Sequence, residues 1–119
     1  MDIETIRNYC LAKTAVTEGF PFDQDTLVFK VAGKMFLLTS LSKSNSINVK
    51  CEAEYAVDLR EKYDAIQPGY HMNKNYWNTI DVSTGLDDEF IFSLIDHSYN
   101  QVVAGFSKKM KAELAALKA

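Results

Sequence analysis

His71 stands in the stretch from Ile66 to Ile80, which gathers more chemically able side chains than any other part of this 119-residue chain. One of two prolines, one of five glycines, one of two histidines and the only tryptophan fall within it, beside Tyr70, Tyr76 and Lys74. An imidazole there could exchange a proton near neutral pH. Such an acid or base needs a convergent polar partner, and Asp64, Tyr70 or Arg60 could supply one. Aromatic rings next to His71, Asn73 and Lys74 are equally the composition of a surface that stacks on bases and contacts phosphates. The same rings could instead line a cleft for a protein or small ligand beside residues 70–77. They could also pack as an aromatic minicore, with His71 anchoring a hairpin that closes a sheet against a long helix.

Other chemistry finds little support. No nucleophile, base and orienting group share a recognisable spacing. No His, Cys, Asp or Glu cluster has zinc spacing, and Asp87-Asp88-Glu89 is explained as negative charge at a helix start. Ala32-Gly33-Lys34 has neither phosphate-loop pattern around it. Cys10 and Cys51 form no CxxC and read as buried hydrophobes. His97, on a long helix, reads as a structural or surface histidine with a satisfied hydrogen bond. No cofactor, metal or enzymatic activity is expected.

Composition sets the class. Hydrophobic residues at 47 % and charged residues at 24 % match soluble globular domains and argue against disorder. No apolar run is long enough to span a membrane, and Asp2 and Glu4 make the start acidic where a signal peptide would be basic, so a cytoplasmic monomer is expected. The net charge of −3 weighs against nonspecific nucleic-acid binding. It still permits a local basic face, and Lys30, Lys34 and Lys50 are placed to share one side of a sheet.

The elements that must position these groups follow from periodicity. Asp2 caps a helix over 2–12 with Ile3, Ile6 and Cys10 on one side. Thr17 to Asp25 reads as a weak edge strand in which Phe20 and Phe22 alternate around Pro21. Leu27 to Val31 and Met35 to Thr39 form an antiparallel hairpin turning at Ala32-Gly33-Lys34, and Ile47, Val49 and Cys51 mark another strand after a polar loop. Tyr55, Ala56, Leu59 and Tyr63 make a helical stripe. Ala65 to Met72 and Tyr76 to Val82 read as two extended segments joined by Asn73-Lys74-Asn75. Phe90 through Val103 carry the strongest helical period, ending at Gly105, and Ser107 opens a last helix with a thin apolar stripe at Met110, Leu114 and Leu117. The result is a single α+β domain over 1–119, an antiparallel β-sheet covered by helices, in the order α-β-β-β-β-α-β-β-α-α.

Three segments together resemble a known family. These are Phe20-Pro21-Phe22-Asp23 leading into Leu27 to Phe36, then Pro68-Gly69-Tyr70-His71-Met72-Asn73-Lys74 with Trp77-Asn78-Thr79, and finally Ser98-Tyr99. They are similar to the small bacterial MmcQ/YjbR family across nearly the whole chain. Many of its members carry a second histidine just before the tryptophan, where this chain has Tyr76. The resemblance implies a fold of the frataxin or CyaY type, described for the group as a double wing, and a role in DNA binding. The frataxin likeness raises iron binding, for which the first helix offers only Asp2 and Glu4.

The expected function is a non-enzymatic binding module with DNA as the favoured partner. The expected contacts are Lys30, Lys34, Lys50, Arg60, His71, Asn73, Lys74 and Trp77.

Overall fold

In the computed structural model, which describes residues 1–43, 45–69 and 72–118, the elements follow the expected order. They are α1 (Ile3–Leu11), β1 (Val16–Gly19), β2 (Thr26–Val31), β3 (Lys34–Ser40), β4 (Ser46–Lys50), α2 (Ala53–Lys62), β5 (Ile66–Pro68), β6 (Trp77–Asp81), α3 (Asp88–Ala104) and α4 (Lys108–Lys118). The strands form one antiparallel sheet in the order β1-β2-β3-β4-β6-β5.

Alternation divides this sheet into two faces. Leu27, Phe29, Val31, Ile47, Val49, Ile66 and Ile80 point to the side where Ile6 and Cys10 of α1, Leu59 of α2 and Ile91, Leu94 and Ile95 of α3 complete the main core. The opposite face holds a small separate cluster of Val28, Leu38 and Trp77, with Met35 and Met72 packed against it.

Local chemistry explains the element ends. Asp2 Oδ1 accepts the Thr5 N–H at 2.8 Å and opens α1, and Glu52 caps α2 through the Glu54 and Tyr55 N–H groups. The expected strand over 17–25 stops at Gly19, leaving Phe20 and Phe22 exposed. Asp23 is the cause: its carboxylate accepts the N–H groups of Asp25 and Thr26, which holds the backbone in a turn. The β2–β3 turn is two residues long, with both Ala32 (φ 46°) and Gly33 (φ 86°) in the left-handed region that such hairpins require.

Beyond this turn the register slips. Lys30 faces Met35 and Phe29 faces Leu37, so Phe36 is an extra residue in β3. This β-bulge turns Phe36 and Leu37 both into the core, where each is fully buried. Ser98 of α3 fills the gap the bulge leaves beside β4. Its hydroxyl donates to Phe36 O at 2.5 Å and accepts the Lys50 N–H at 2.8 Å. The neighbouring Tyr99 packs edge-on to Phe36 and donates to Thr14 O at 2.7 Å, fixing the α1–β1 connection. The last helix attaches by one buried side chain, Leu114, as its thin stripe suggested.

Candidate functional site

The hairpin formed by β5 and β6 carries the stretch singled out in the sequence. Its first strand ends at Pro68, short of the expected Met72, because the chain turns immediately afterwards: Gly69 N–H donates to Trp77 O at 2.9 Å and Met72 N–H to Gly69 O at 2.9 Å. Gly69 suits this corner. A Cβ there would lie 3.0 Å from Trp77 Cβ and 3.1 Å from its carbonyl oxygen, tighter than nearly all side-chain contacts, so the Trp77 strand would have to give by a few tenths of an ångström. Asn73 closes the loop by accepting the Asn75 N–H on its own side chain, leaving Asn73, Lys74, Asn75 and Tyr76 exposed.

Trp77 does not face solvent. Only 8 % of it is exposed, and the indole lies on Val28 and Leu38. The expected aromatic minicore against the long helix is not seen: among the described residues Trp77 is the one ring in an otherwise aliphatic and methionine cluster, on the sheet face opposite α3. A buried ring offers no platform for a base, so the expected stacking contact at Trp77 is withdrawn. Among the described residues of this loop, Tyr76, 47 % exposed, is the ring presented to solvent.

Arg60 reaches the same loop from α2. Its Nε–H donates to Asn78 Oδ1 at 2.6 Å, and Nη2 donates to the carbonyls of Lys74 and, at 3.3 Å, Trp77. Asn78 is buried and passes the connection on through Nδ2 to Ala56 O. The guanidinium is thus a structural fork holding the loop to α2, and not a free cation. His71 and Tyr70 lie outside the described residues, so the readings that turn on them rest on sequence.

The lysines are distributed differently. Lys30 is opposite Met35, and Lys50 is opposite Trp77, which places both on the face away from the helices. Lys34 does not join them: a two-residue turn makes it the partner of Val31, whose side chain belongs to the main core. Sitting at the strand end, Lys34 nevertheless borders a shallow depression with Lys50, Met35, Val102, Gly105 and Phe106. The Cys51 N–H donates to Tyr76 O at 2.7 Å, so the Lys50 end of β4 runs beside the loop that carries Lys74. Lys108 and Lys109, separated from Phe106 by Ser107, open α4 at this same end. Their contribution could have been anticipated, since Gly105 and Ser107 place a helix start where α3 stops. Among the described residues none of these lysines is within ion-pair distance of a carboxylate.

Acidic groups gather at the other end. Asp87, Asp88 and Glu89 begin α3, whose 17 residues span roughly 25 Å to the lysine end. Asp23 and Asp25 lie where β2 begins, and Asp81 where β6 ends. Asp25 accepts from the Ser40 and Ser42 hydroxyls and the Ser42 N–H, which holds its carboxyl below the usual range. The separation is incomplete, since Glu52 and Glu54 open α2 just after Lys50 and Lys43 lies near Asp25.

Among the described residues, Cys10, Cys51 and His97 are engaged in packing or hydrogen bonds. Burial pushes the Cys10 thiol up to about 12 and the Cys51 thiol to about 11, so neither is a thiolate nucleophile. His97 Nε2 accepts the Glu52 N–H at 3.1 Å, and its ring packs edge-on to Tyr55. Burial lowers its pKa, consistent with a neutral ring tying α3 to the start of α2. Among the described residues, no three His, Cys, Asp or Glu side chains converge to hold a metal.

A sequence profile of the YjbR family matches residues 11–101. The chain belongs to the YjbR family. Its relatives include the uncharacterized protein YbdF of Escherichia coli O157:H7, 34 % identical over 107 residues, or 89 % of this chain and 88 % of that protein. YjbR of Escherichia coli K12 is 29 % identical over 104 residues, covering 87 % and 88 % of the two chains. The crystal structure of the Deinococcus radiodurans protein DR2400 superposes with a TM-score of 0.90 at 32 % identity, over 96 % of this chain and 88 % of that one. A Pseudomonas syringae protein matches with a TM-score of 0.72 at 27 % identity, over 85 % and 98 %. The YjbR fold is thus the six-stranded antiparallel sheet with helices described above.

Proposed function

We propose that this YjbR-family chain is a non-enzymatic binding module, a single cytoplasmic domain acting as a monomer, that holds DNA by its phosphates at the lysine end of the sheet. The observation that carries this reading is a cluster of cations: Lys30, Lys34, Lys50 and Lys74 lie at one end of the sheet without carboxylate partners among the described residues. Such a distribution lets a chain of net charge −3 present a positive surface to a polyanion. Asn73 and Tyr76 are exposed beside Lys74 and can add contacts to sugar and phosphate. His71, two positions before Asn73 in the sequence, is a further candidate contact, and Arg60 serves the loop by holding it in place.

Because Trp77 is buried, the interaction is electrostatic and does not depend on stacking by that ring. Binding of duplex DNA measured over a range of salt concentrations tests this. Affinity should fall steeply with salt, and removing Lys30 and Lys50 together should lower the slope of log K against log salt by about two. No binding at low ionic strength, or a slope the lysine variants leave unchanged, would refute the proposal.

A further inference from the structure

At the acidic end, on the side of α1, lies an apolar groove of about 650 Å³ between that helix and the end of β1. Ile3, Phe20, Leu27 and Leu41 supply its apolar lining. Phe20 is 47 % exposed, Leu41 44 % and the nearby Phe22 62 %, an unusual concentration of large apolar surface on a domain whose other apolar groups are mostly buried. The rim is acidic. Glu4 and Glu18 line it, Asp2 precedes Ile3 at the helix start, and Asp25 O accepts the Leu41 N–H at 2.8 Å with Asp23 two residues before it. Against these stand Arg7, which is paired to Glu18 at 2.6 Å, and Lys43. Hydrogen bonds from backbone or neighbouring side chains keep the Asp2, Glu18, Asp23 and Asp25 carboxyls below their usual range, so the rim stays charged at neutral pH.

We propose that this groove docks a segment of a partner protein in which apolar side chains alternate with lysine or arginine, the apolar groups seating among Ile3, Phe20 and Leu41 and the cations facing the carboxylate rim. The charge of the rim selects this occupant over an acidic or neutral one, because like charges at the edge of an apolar contact oppose binding. The cavity has room for several large side chains, so a short segment suffices. The site is at the opposite end from the lysines and does not depend on DNA binding.

The probe is a labelled synthetic peptide of about twelve residues alternating leucine and lysine, compared with its leucine and glutamate counterpart and followed by fluorescence anisotropy and amide chemical shifts. The lysine peptide should bind saturably at one site, with shifts at Ile3, Phe20 and Leu41. Phe20→Ser and Leu41→Ser should each weaken it at least tenfold, and both positions are exposed enough for the variants to fold. Lys50→Ala should leave it unchanged. The proposal is overturned by absent binding, by equal binding of the glutamate peptide, or by binding indifferent to both serine variants. It is also overturned if the chain self-associates and Leu41→Ser abolishes that association, which would make a second copy the occupant.

Discussion

The Nε–H of Arg60 donates to Oδ1 of the buried Asn78 at 2.6 Å, joining α2 to β6 beneath the loop that carries Lys74. The planar guanidinium serves three acceptors at once, the Asn78 side chain and the carbonyls of Lys74 and Trp77. A lysine has no such fork. Arg60→Lys and Arg60→Ala should therefore both destabilise the fold, by about 1–3 kcal/mol, the range for leaving a buried polar group without its partner. Urea unfolding followed by circular dichroism measures the loss. Equal stability of Arg60→Lys and the parent would show that the fork is dispensable.

The contact between Gly69 and Trp77 gives a second prediction. Gly69→Ala places a methyl group 3.0 Å from Trp77 Cβ, and strand backbone cannot yield as the tip of a flexible side chain can. The expected cost is about 1–3 kcal/mol, as for overpacking elsewhere. Trp77 is the only tryptophan in the chain, so its emission reports the site directly. A shift to longer wavelength should accompany the loss of stability as the indole is levered from Val28 and Leu38.

Ser98→Ala removes a hydroxyl that satisfies two backbone groups, Phe36 O and the Lys50 N–H. Stability should fall by about 1–3 kcal/mol. Hydrogen exchange distinguishes this cause from a cavity. The Lys50 amide should lose protection by a larger factor than the Val49 amide beside it, whereas a simple packing defect would affect both alike.

Protonation of His97 sets a pH dependence. In the folded chain Nε2 is an acceptor and burial lowers the pKa, whereas in the unfolded chain the ring titrates at its ordinary value near 6.5. Between those two values the unfolded state binds more protons, so stability is greatest above about pH 6.5 and declines as pH falls below it. The carboxylates held low by hydrogen bonds, such as Asp25 and Glu52, add a further decline only in the more acidic range where carboxyls titrate. His97→Gln should flatten the first decline and leave the second in place. Denaturation midpoints measured from pH 5 to 8 test this.

The fold was legible because its elements have clean periods. Leu27, Phe29 and Val31 alternate and so bury one face of β2, and the doublets from Phe90 to Val103 give α3 its helical stripe. What sequence could not supply was pairing. The two-residue turn decides that Lys34 sits opposite Val31 rather than beside Lys30, and the bulge at Phe36 is invisible to a pattern that treats Met35 to Thr39 as an ordinary strand. Phe20 and Phe22 misled for a related reason, since their alternation mimics a strand while Asp23 draws the backbone into a turn. Arg60 and Trp77 shared a third cause. Residue type marked them as contacts for a ligand, but long-range packing against Asn78, Val28 and Leu38 had already engaged them.

The lysines gathered at one end of the strands are a local positive patch on a chain of small negative net charge. A negatively charged surface therefore meets that patch and not the molecule's average charge. With a pI near 5.3, the chain should be retained at neutral pH and low salt on an anion exchanger, and on a cation exchanger as well, resting on different parts of its surface in the two columns.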